Sequence, residues 1–127
     1  MWLAKDIMNK DVTTVKENVP VFEAMKILAR ENITGLPVVT DDMRVIGIVS
    51  EKDMLSLLFD AKDKDQLVSE IMVRDVVSFE EDTALTELCE CLIKSNFRRI
   101  PILSKGKLVG IISRCDLLRF ILKLRKL

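Results

Sequence analysis

The chain has 127 residues, and its 20 basic and 20 acidic side chains leave a formal net charge of zero. This length suits one ordinary domain or two small ones, and the balanced charge argues against a nucleic-acid binder that relies on global positive charge. Because the sequence contains no histidine, the chain by itself has no serine–histidine catalytic relay and no histidine metal site. We therefore predict a globular protein that is not an enzyme, holds no metal and has no nucleic-acid partner.

Apolar runs and cysteines bear on the compartment. The longest apolar runs, such as residues 108–112, have the length of a strand and are too short to span a bilayer. The first residues lack the apolar stretch of a secretory signal, and an odd number of cysteines, three, is typical of reduced thiols. Each of them, Cys89, Cys91 and Cys115, is expected to be a small core residue rather than a nucleophile, because no histidine is present to activate it. We predict a cytoplasmic protein with no membrane insertion.

An internal repeat organises the chain. The motif Ile-Met-x-x-Asp-Val at 7–12 recurs 64 residues later at 71–76. After a one-residue deletion in the second copy, the segment 47–53 matches 110–116 in the same way. Because neither copy is large enough to close a core alone, the two are expected to form one module. We therefore divide the chain into repeat one, a charged linker and repeat two, at 1–60, 61–67 and 68–127.

The first half of each repeat is predicted to be a short strand followed by a helix. The β-prone segments lie at 12–15 and 76–79. Asn18 and Asp82 are the expected N-caps of the helices, whose apolar residues recur at helical spacing.

The second half of each repeat is predicted to be a hairpin and a final helix. The hydrophobic-Pro-hydrophobic segments at 36–39 and 100–103 indicate buried strands, and turn residues connect each of them to a second apolar strand. A helix then begins after the serine that ends the hairpin. The order in each copy is β-α-β-β-α, which makes the fold class α+β (α/β by some schemes).

A Ser-x-x-Asp sequence stands at each junction between the last strand and the last helix, from Ser50 to Asp53 and from Ser113 to Asp116. One interpretation is a capping box, in which the serine and the acidic residue satisfy backbone N–H groups of the first turn. The other is a ligand site, because a helix N-terminus attracts phosphate and a carboxylate can accept both hydroxyls of a ribose. The two are compatible, because a capping serine can still contact a ligand.

Two cations, Arg98 and Arg99, directly precede the proline strand of repeat two. Surface arginines are most often solvated, but an arginine fork also matches the oxygens of a phosphate. Repeat one has Thr34 and Gly35 at the matching places, without a cation. If both repeats hold ligands, they hold them differently.

With these motifs present twice, the sequence resembles a tandem pair of CBS (cystathionine beta-synthase) domains, also called a Bateman module. The resemblance rests on the Ile-Met-x-x-Asp-Val opening, the proline strand and the Ser-x-x-Asp helix start, and it covers nearly the whole chain. It implies two β-α-β-β-α CBS repeats packed through their sheets with pseudo-twofold symmetry. It also implies two clefts for adenosine-containing ligands, and a homodimer.

The resemblance further implies that each cleft takes residues from both repeats, with Asp53 or Asp116 as the ribose-binding carboxylate. Basic residues before the proline strand contact phosphates in kinase-linked members, which Arg98 and Arg99 match, although such members often carry histidine at the first position. One cleft would contain Ser50, Asp53, Val77, Ser78, Arg98, Arg99 and Ile100. The other would contain Thr13, Thr14, Thr34, Gly35, Ser113 and Asp116.

The function implied by the resemblance is a regulatory, non-catalytic module that senses an adenine nucleotide, AMP, ADP or ATP, and requires no cofactor. The implied protein partner is an effector whose activity the module regulates. Two alternatives stay open. One is a binder of S-adenosylmethionine, which shares the adenosine half but is cationic at sulfur. The other is a structural dimerisation module whose clefts stay empty.

Overall fold

A computed structural model describes residues 1–56 and 66–125, so that most of the predicted linker at 61–67 lies outside the described residues. The chain forms two compact units. The continuous unit is Thr13–Val76, and the split unit joins Met1–Val12 to Val77–Leu127. In chain order the elements are α1 Ala4–Ile7, α2 Val21–Glu31, β1 Gly35–Val39, β2 Val45–Ser50, α3 Glu51–Leu55, α4 Val68–Ile71, β3 Phe79–Glu80, α5 Leu85–Lys94, β4 Arg99–Ser104, β5 Lys107–Ser113 and α6 Arg114–Arg125.

The compact units cross the boundaries of the sequence repeats. The segment that opens repeat one packs with repeat two in the split unit, and the segment that opens repeat two packs with repeat one in the continuous unit. Backbone hydrogen bonds hold each of these exchanged segments, since Asn9 forms two with Ile111 and Val73 forms two with Ile48. Each unit therefore contains the opening motif of the other repeat.

The methionine of each opening motif lies against a glycine of the neighbouring strand in its unit. A Cβ atom added to Gly110 would lie 2.6 Å from Sδ of Met8, and one added to Gly47 would lie 2.6 Å from Sδ of Met72. These distances are well inside van der Waals contact, so any larger residue at either glycine would displace the methionine. The opening motif of each repeat therefore packs against the last strand of the other repeat's hairpin, and a glycine in that strand makes room for its methionine.

Each unit contains an antiparallel hairpin with the same register. β1 pairs with β2 so that Gly35 lies opposite Ser50, and β4 pairs with β5 so that Arg99 lies opposite Ser113. Both hairpins also have a register shift at the matching place. The predicted hairpins and the α+β fold class are confirmed, and each Ser-x-x-Asp sequence begins where a strand gives way to a helix.

Each unit has its own hydrophobic core, with a proline strand at its centre. Val38 in the continuous unit and Ile102 in the split unit have no exposed surface. The predicted helical spacing of apolar residues is confirmed, because it places one face of each long helix on the core. The buried residues of those faces are Val21, Ala24 and Leu28 in α2 and Leu85, Leu88 and Leu92 in α5.

The starts of α2 and α5 differ from the prediction. Neither Asn18 nor Asp82 is an N-cap, and the residues at the N-cap positions provide no capping side chain. Instead, the first amide of α2 donates to the carbonyl of Gln66 (2.8 Å), and the first amide of α5 donates to the carbonyl of Trp2 (2.9 Å). Because these carbonyls precede the opening motifs on the exchanged segments, backbone from elsewhere in the chain replaces the local cap.

The first strand of each repeat is shorter than predicted. In the segment 12–15, Val15 alone forms a bridge, parallel to Val38. In the segment 76–79, only Phe79 belongs to a strand, β3, which continues to Glu80 and runs parallel to β4. Both segments turn into a helix within a few residues, which limits their pairing.

The two hairpin turns are stabilised differently. In the β1–β2 turn, the carboxylate of Asp42 accepts hydrogen bonds from the hydroxyl of Thr40 and from Nε of Arg44 (3.1 Å). The bond from Thr40, with a smaller contribution from Arg44, lowers the pKa of Asp42 below its ordinary value. In the β4–β5 turn, Glu80 of β3 accepts from two backbone amides at 3.1 and 3.4 Å. Nζ of Lys16, which matches Glu80 in the repeat, also donates to the carbonyl of Thr40 (2.8 Å), so both turns are held from the same place and only the β1–β2 turn has bonds among its own side chains as well.

Candidate functional site

Ser50 and Asp53 form a capping box at the start of α3. The backbone N–H of Asp53 donates to Oγ of Ser50 (3.3 Å), while Oδ2 of Asp53 accepts from the backbone N–H (3.1 Å) and the hydroxyl (2.9 Å) of Ser50. Both side chains are half-buried. The capping interpretation is confirmed for repeat one.

Ser113 and Asp116 form the matching box at the start of α6. The backbone N–H of Asp116 donates to Oγ of Ser113 (3.1 Å), and Oδ2 of Asp116 accepts from the backbone N–H of Ser113 (2.8 Å). Within residues 1–56 and 66–125, the hydroxyl of Ser113 has no acceptor, in contrast to that of Ser50. The capping interpretation is confirmed for repeat two as well, and here the hydroxyl of Ser113 can still donate to a ligand.

The capping boxes leave part of each carboxylate available to a ligand. Both boxes use Oδ2 of the aspartate, and an ionised carboxylate has about four acceptor sites. Oδ1 of Asp116 lies 3.9 Å from Nη1 of the exposed Arg119, which is too long for a hydrogen bond. Capping and the binding of ligand hydroxyls are therefore compatible at these aspartates.

A backbone hydrogen bond ties each capping box to the loop before the proline strand. The N–H of Glu51 donates to the carbonyl of Thr34 (3.0 Å), and the N–H of Arg114 donates to the carbonyl of Arg98 (3.1 Å). Together with the hairpin register, these bonds place the box and the loop of each repeat side by side. This arrangement is the same in both units.

The predicted site residues fall into two groups, one in each compact unit. The clefts implied by the resemblance combine members of both groups, and that combination stays a prediction. Ile100 is fully buried in the core of the split unit, so its side chain serves packing. The continuous unit holds Thr13, Thr14, Thr34, Gly35, Ser50 and Asp53, and the split unit holds Val77, Ser78, Arg98, Arg99, Ile100, Ser113 and Asp116.

Arg98, directly before β4, and Arg99, the first residue of β4, carry charges that their surroundings do not neutralise. Arg98 is exposed and Arg99 is half-buried. Across the part of the chain that the structure describes, no carboxylate forms an ion pair with either of them. The matching residues of repeat one, Thr34 and Gly35, have no charge. The difference in charge predicted from the sequence is thus present at equivalent places in the fold.

Arg114 is a residue of this region that the sequence motifs do not single out. Nη2 of its guanidinium donates to the carbonyl of Ser95, the C-cap of α5, at a distance of 3.0 Å. No local spacing signals this contact, because 19 positions separate the two residues.

The cysteines differ from the prediction in one respect. Cys89 and Cys91 are half-buried and pack against the core of the split unit, as predicted for small core residues. Cys115 is exposed, so the prediction of core packing is wrong there, because this residue lies on the solvent side of the first turn of α6.

Two kinds of feature are absent from the described residues. No group of acidic residues and cysteines there could hold a metal ion. None of the helices there combines the length and the apolar character that a membrane span requires.

The family model described as "CBS domain" matches the chain twice, at residues 4–60 and 68–123. The chain belongs to the CBS domain family. It contains a tandem CBS pair, with one match for each sequence repeat. The resemblance inferred from the doubled motifs is therefore confirmed.

Relatives of this CBS pair include longer proteins. MJ1225 of Methanocaldococcus jannaschii is 31% identical over 117 residues, which are 92% of this chain and 42% of that protein. Inosine-5'-monophosphate dehydrogenase of Thermoplasma acidophilum is 36% identical over 113 residues, which are 88% of this chain and 22% of the enzyme. The chain thus spans less than half of either relative, and some related CBS pairs are parts of enzymes.

Two solved structures with a similar fold were determined with bound ligands. CBSX2 of Arabidopsis thaliana in complex with AMP matches with a TM-score of 0.90 and 28% identity over 98% of this chain and 99% of that one. The CBS domain pair of protein MJ0100, in complex with 5'-methylthioadenosine and S-adenosyl-L-methionine, matches with a TM-score of 0.81 and 31% identity over 95% and 96%. The ligands of both proteins contain adenosine.

Proposed function

We propose that this CBS pair is a regulatory module that binds an adenine nucleotide, AMP, ADP or ATP, and catalyses no reaction. The observation that carries the proposal is the capping box of each repeat, in which Asp53 and Asp116 keep acceptor capacity beyond the cap. Two adjacent ribose hydroxyls suit such an acceptor. Similarity to two proteins solved with adenosine ligands supports the same ligand class.

The ribose and phosphate contacts are proposed to come from different residues. Asp53 and Asp116 accept the ribose hydroxyls, and Ser50 and Ser113 lie beside a phosphate. Arg98 and Arg99 supply positive charge to phosphate oxygens, since neither has a carboxylate partner in the described part of the chain. An anionic nucleotide therefore fits this charge pattern better than neutral adenosine does.

A second candidate ligand is S-adenosylmethionine, which is favoured by the similarity to the MJ0100 CBS pair. Both candidates contain adenosine and differ in the sign of the charge attached to it. The sulfonium would lie near cations if it took the place of a phosphate, which is unfavourable. A CBS pair that only dimerises, with empty clefts, is the remaining alternative.

The module is further proposed to act as a homodimer on an effector protein in the cytoplasm. Leu118, Ile121 and Leu122 of α6 are about half exposed or more, and contiguous apolar surface of this kind favours protein contacts. The effector is proposed to be a protein that responds to the ligand-bound form of the module.

Native mass spectrometry of the purified chain, followed by thermal unfolding with AMP, ATP, adenosine and S-adenosylmethionine, tests these proposals together. A dimer mass is expected, and AMP or ATP at about 100 times its dissociation constant should raise the apparent stability by about 2.7 kcal/mol. A matched control is the double variant Asp53→Asn/Asp116→Asn, in which the shift should shrink. A response to S-adenosylmethionine alone would favour the second candidate, and no response to any ligand would favour the dimerisation module.

A further inference from the structure

The helices α2 and α5 match in the repeat but end in different ways. Asn32 ends α2 in the left-handed conformation (φ 54°), so that the N–H of Ile33 turns back to the carbonyl of Leu28, which also accepts the last helical bond from the N–H of Asn32. This is a common way to satisfy the last carbonyls of a helix. The C-cap of α5 is Ser95, which is extended, and Asn96, the match of Asn32, is not left-handed. The last carbonyls of α5 therefore need other donors.

Arg114 supplies such a donor within the split unit. Its Nη2 lies 3.0 Å from the carbonyl oxygen of Ser95 and 3.5 Å from that of Leu92. A guanidinium suits this place, because partial negative charge accumulates at the C-terminal end of a helix. Glu51, at the matching place in repeat one, has the opposite charge, and its side chain forms no hydrogen bond with the residues described.

Arg114 also holds the other end of the same loop. Its backbone N–H donates to the carbonyl of Arg98 (3.1 Å), so the loop 95–98 is attached at its first residue through the guanidinium and at its last through the backbone. Within the loop, Oγ of Ser95 accepts from the N–H of Phe97 (3.3 Å). Arg99 follows directly, at the start of β4 and opposite Ser113.

We propose that Arg114 is a positioning residue of the nucleotide site, which fixes the loop 95–98 so that Arg98 and Arg99 are in place for a phosphate. The ligand in this proposal is the one given by the proposed function. A loop that is ordered before binding loses less conformational entropy when the ligand arrives. Repeat one has no cations to place at Thr34 and Gly35, and its helix end is closed locally instead.

The first test measures the loop without any ligand. In the full chain, Arg114→Ala is expected to speed hydrogen exchange in the segment 95–99 by about tenfold, since local opening becomes easier, while exchange in the rest of β4 stays slow. Glu51→Ala, the matched control in repeat one, should leave exchange at 32–35 unchanged. Arg114→Lys, which keeps the charge but not the planar fork, should give an intermediate rate.

The second test measures AMP and adenosine binding by calorimetry. Arg114→Ala should weaken AMP by about three- to tenfold, because it loosens charge-assisted contacts without removing them, and should change adenosine little. Glu51→Ala should bind both like the parent. Full AMP affinity in Arg114→Lys despite a fast-exchanging loop would show that Arg114 acts through its charge alone, which overturns the positioning role.

Two further results overturn the proposal. One is unchanged loop exchange in Arg114→Ala, and the other is faster exchange with an unaltered ratio of AMP to adenosine affinity. If the parent chain binds neither ligand, the proposed function and the nucleotide role of Arg114 both fail. The exchange measurement then separates that outcome from a failure of the loop contacts, because it uses no nucleotide.

Discussion

The loops before the two proline strands lie at the same place in their units, but only the loop of repeat two leads into positively charged residues that could bind an anion. Each is tied by one backbone hydrogen bond to the first residue of the helix that follows the capping box. At the junction of loop and strand, repeat one has Thr34 and Gly35, and repeat two has Arg98 and Arg99. The capping boxes beside them keep the same serine and aspartate geometry. The comparison shows that the repeats share a candidate ribose acceptor and differ in what they can offer a phosphate.

The largest expected effect comes from removing the two cations, which would make repeat two resemble repeat one at this place. Arg98→Ala/Arg99→Ala should weaken AMP by about 2–4 kcal/mol, because charge-assisted bonds are worth about 1.5–3 kcal/mol each and the exposed Arg98 contributes less than that. Adenosine, which has no phosphate, should lose little. Isothermal titration with both ligands measures the difference.

Thr34→Ala is the matched control for the arginine variant. It removes a hydroxyl and no charge, so adenosine and AMP should lose similar affinity. If the arginine variant weakens adenosine as much as AMP, the arginines are ordinary solvated surface residues and the two loops are equivalent.

Replacing the aspartate of each capping box by asparagine tests the ribose acceptor that the two repeats are proposed to share. Asp53→Asn and Asp116→Asn should each weaken nucleotide binding by about 1–3 kcal/mol, because a neutral amide oxygen is a poorer acceptor for two hydroxyls. The amide oxygen can still accept from the serine N–H, so thermal stability should change much less than binding. Parent-like calorimetry for both variants would mean that the boxes only cap helices.

The glycines in contact with Met8 and Met72 allow a third comparison between the units. One methyl group added at a packed site should lower the free energy of unfolding by about 1–3 kcal/mol. Gly47→Ala should cost more than Gly110→Ala. Its Cβ would also meet the backbone carbonyl of Val73 at 3.1 Å, whereas the three nearest atoms at Gly110 all belong to the side chain of Met8.

Rescue variants distinguish the two glycine sites in urea unfolding. The destabilisation caused by Gly110→Ala should shrink more when Met8 is also replaced by alanine than the destabilisation caused by Gly47→Ala does when Met72 is replaced by alanine. Gly35→Ala is the control, because its Cβ would meet its nearest neighbour at an ordinary 3.5 Å. Equal rescue at both sites would show that the backbone of Val73 moves aside freely.

The smallest expected effect concerns the β1–β2 turn. The pKa of Asp42 lies below its ordinary value of 3.8 in the folded chain. Its contribution to stability is therefore present above 3.8 and is lost as the pH falls through the lowered pKa. Thr40→Val should raise the pKa of Asp42 more than Arg44→Gln does, because the hydroxyl is the larger cause. Carbon-detected NMR titration measures both, and a larger effect of Arg44→Gln would reverse the assignment.

Features set by neighbouring residues could be predicted from the sequence. The capping boxes follow from three-residue spacing, which one helical turn fixes, and the hairpins follow from two apolar runs around turn residues. The residues of the candidate site could be named for the same reason. Their combination into clefts came from the family resemblance and remains a prediction.

Features set by distant residues could not be predicted. The caps of α2 and α5 come from the backbone at Gln66 and Trp2, which no local pattern around Asn18 or Asp82 reveals. The contact of Arg114 with the end of α5 depends on the hairpin between them. A repeat shows which residues match, but it does not show which copies of them pack together.

The exchange of opening segments sets an order on folding during synthesis. The continuous unit is complete once Thr13–Val76 has left the ribosome, because all of its elements lie in one stretch. In the split unit, α1 has no partner until the chain beyond Val77 is made, because its first amides donate to the carbonyls of Thr83 and Glu81. By then the intervening stretch can already be compact, which lowers the entropy lost when the loop between α1 and β5 closes. The helix α1 is thus made before the continuous unit but finds its place only after that unit is complete.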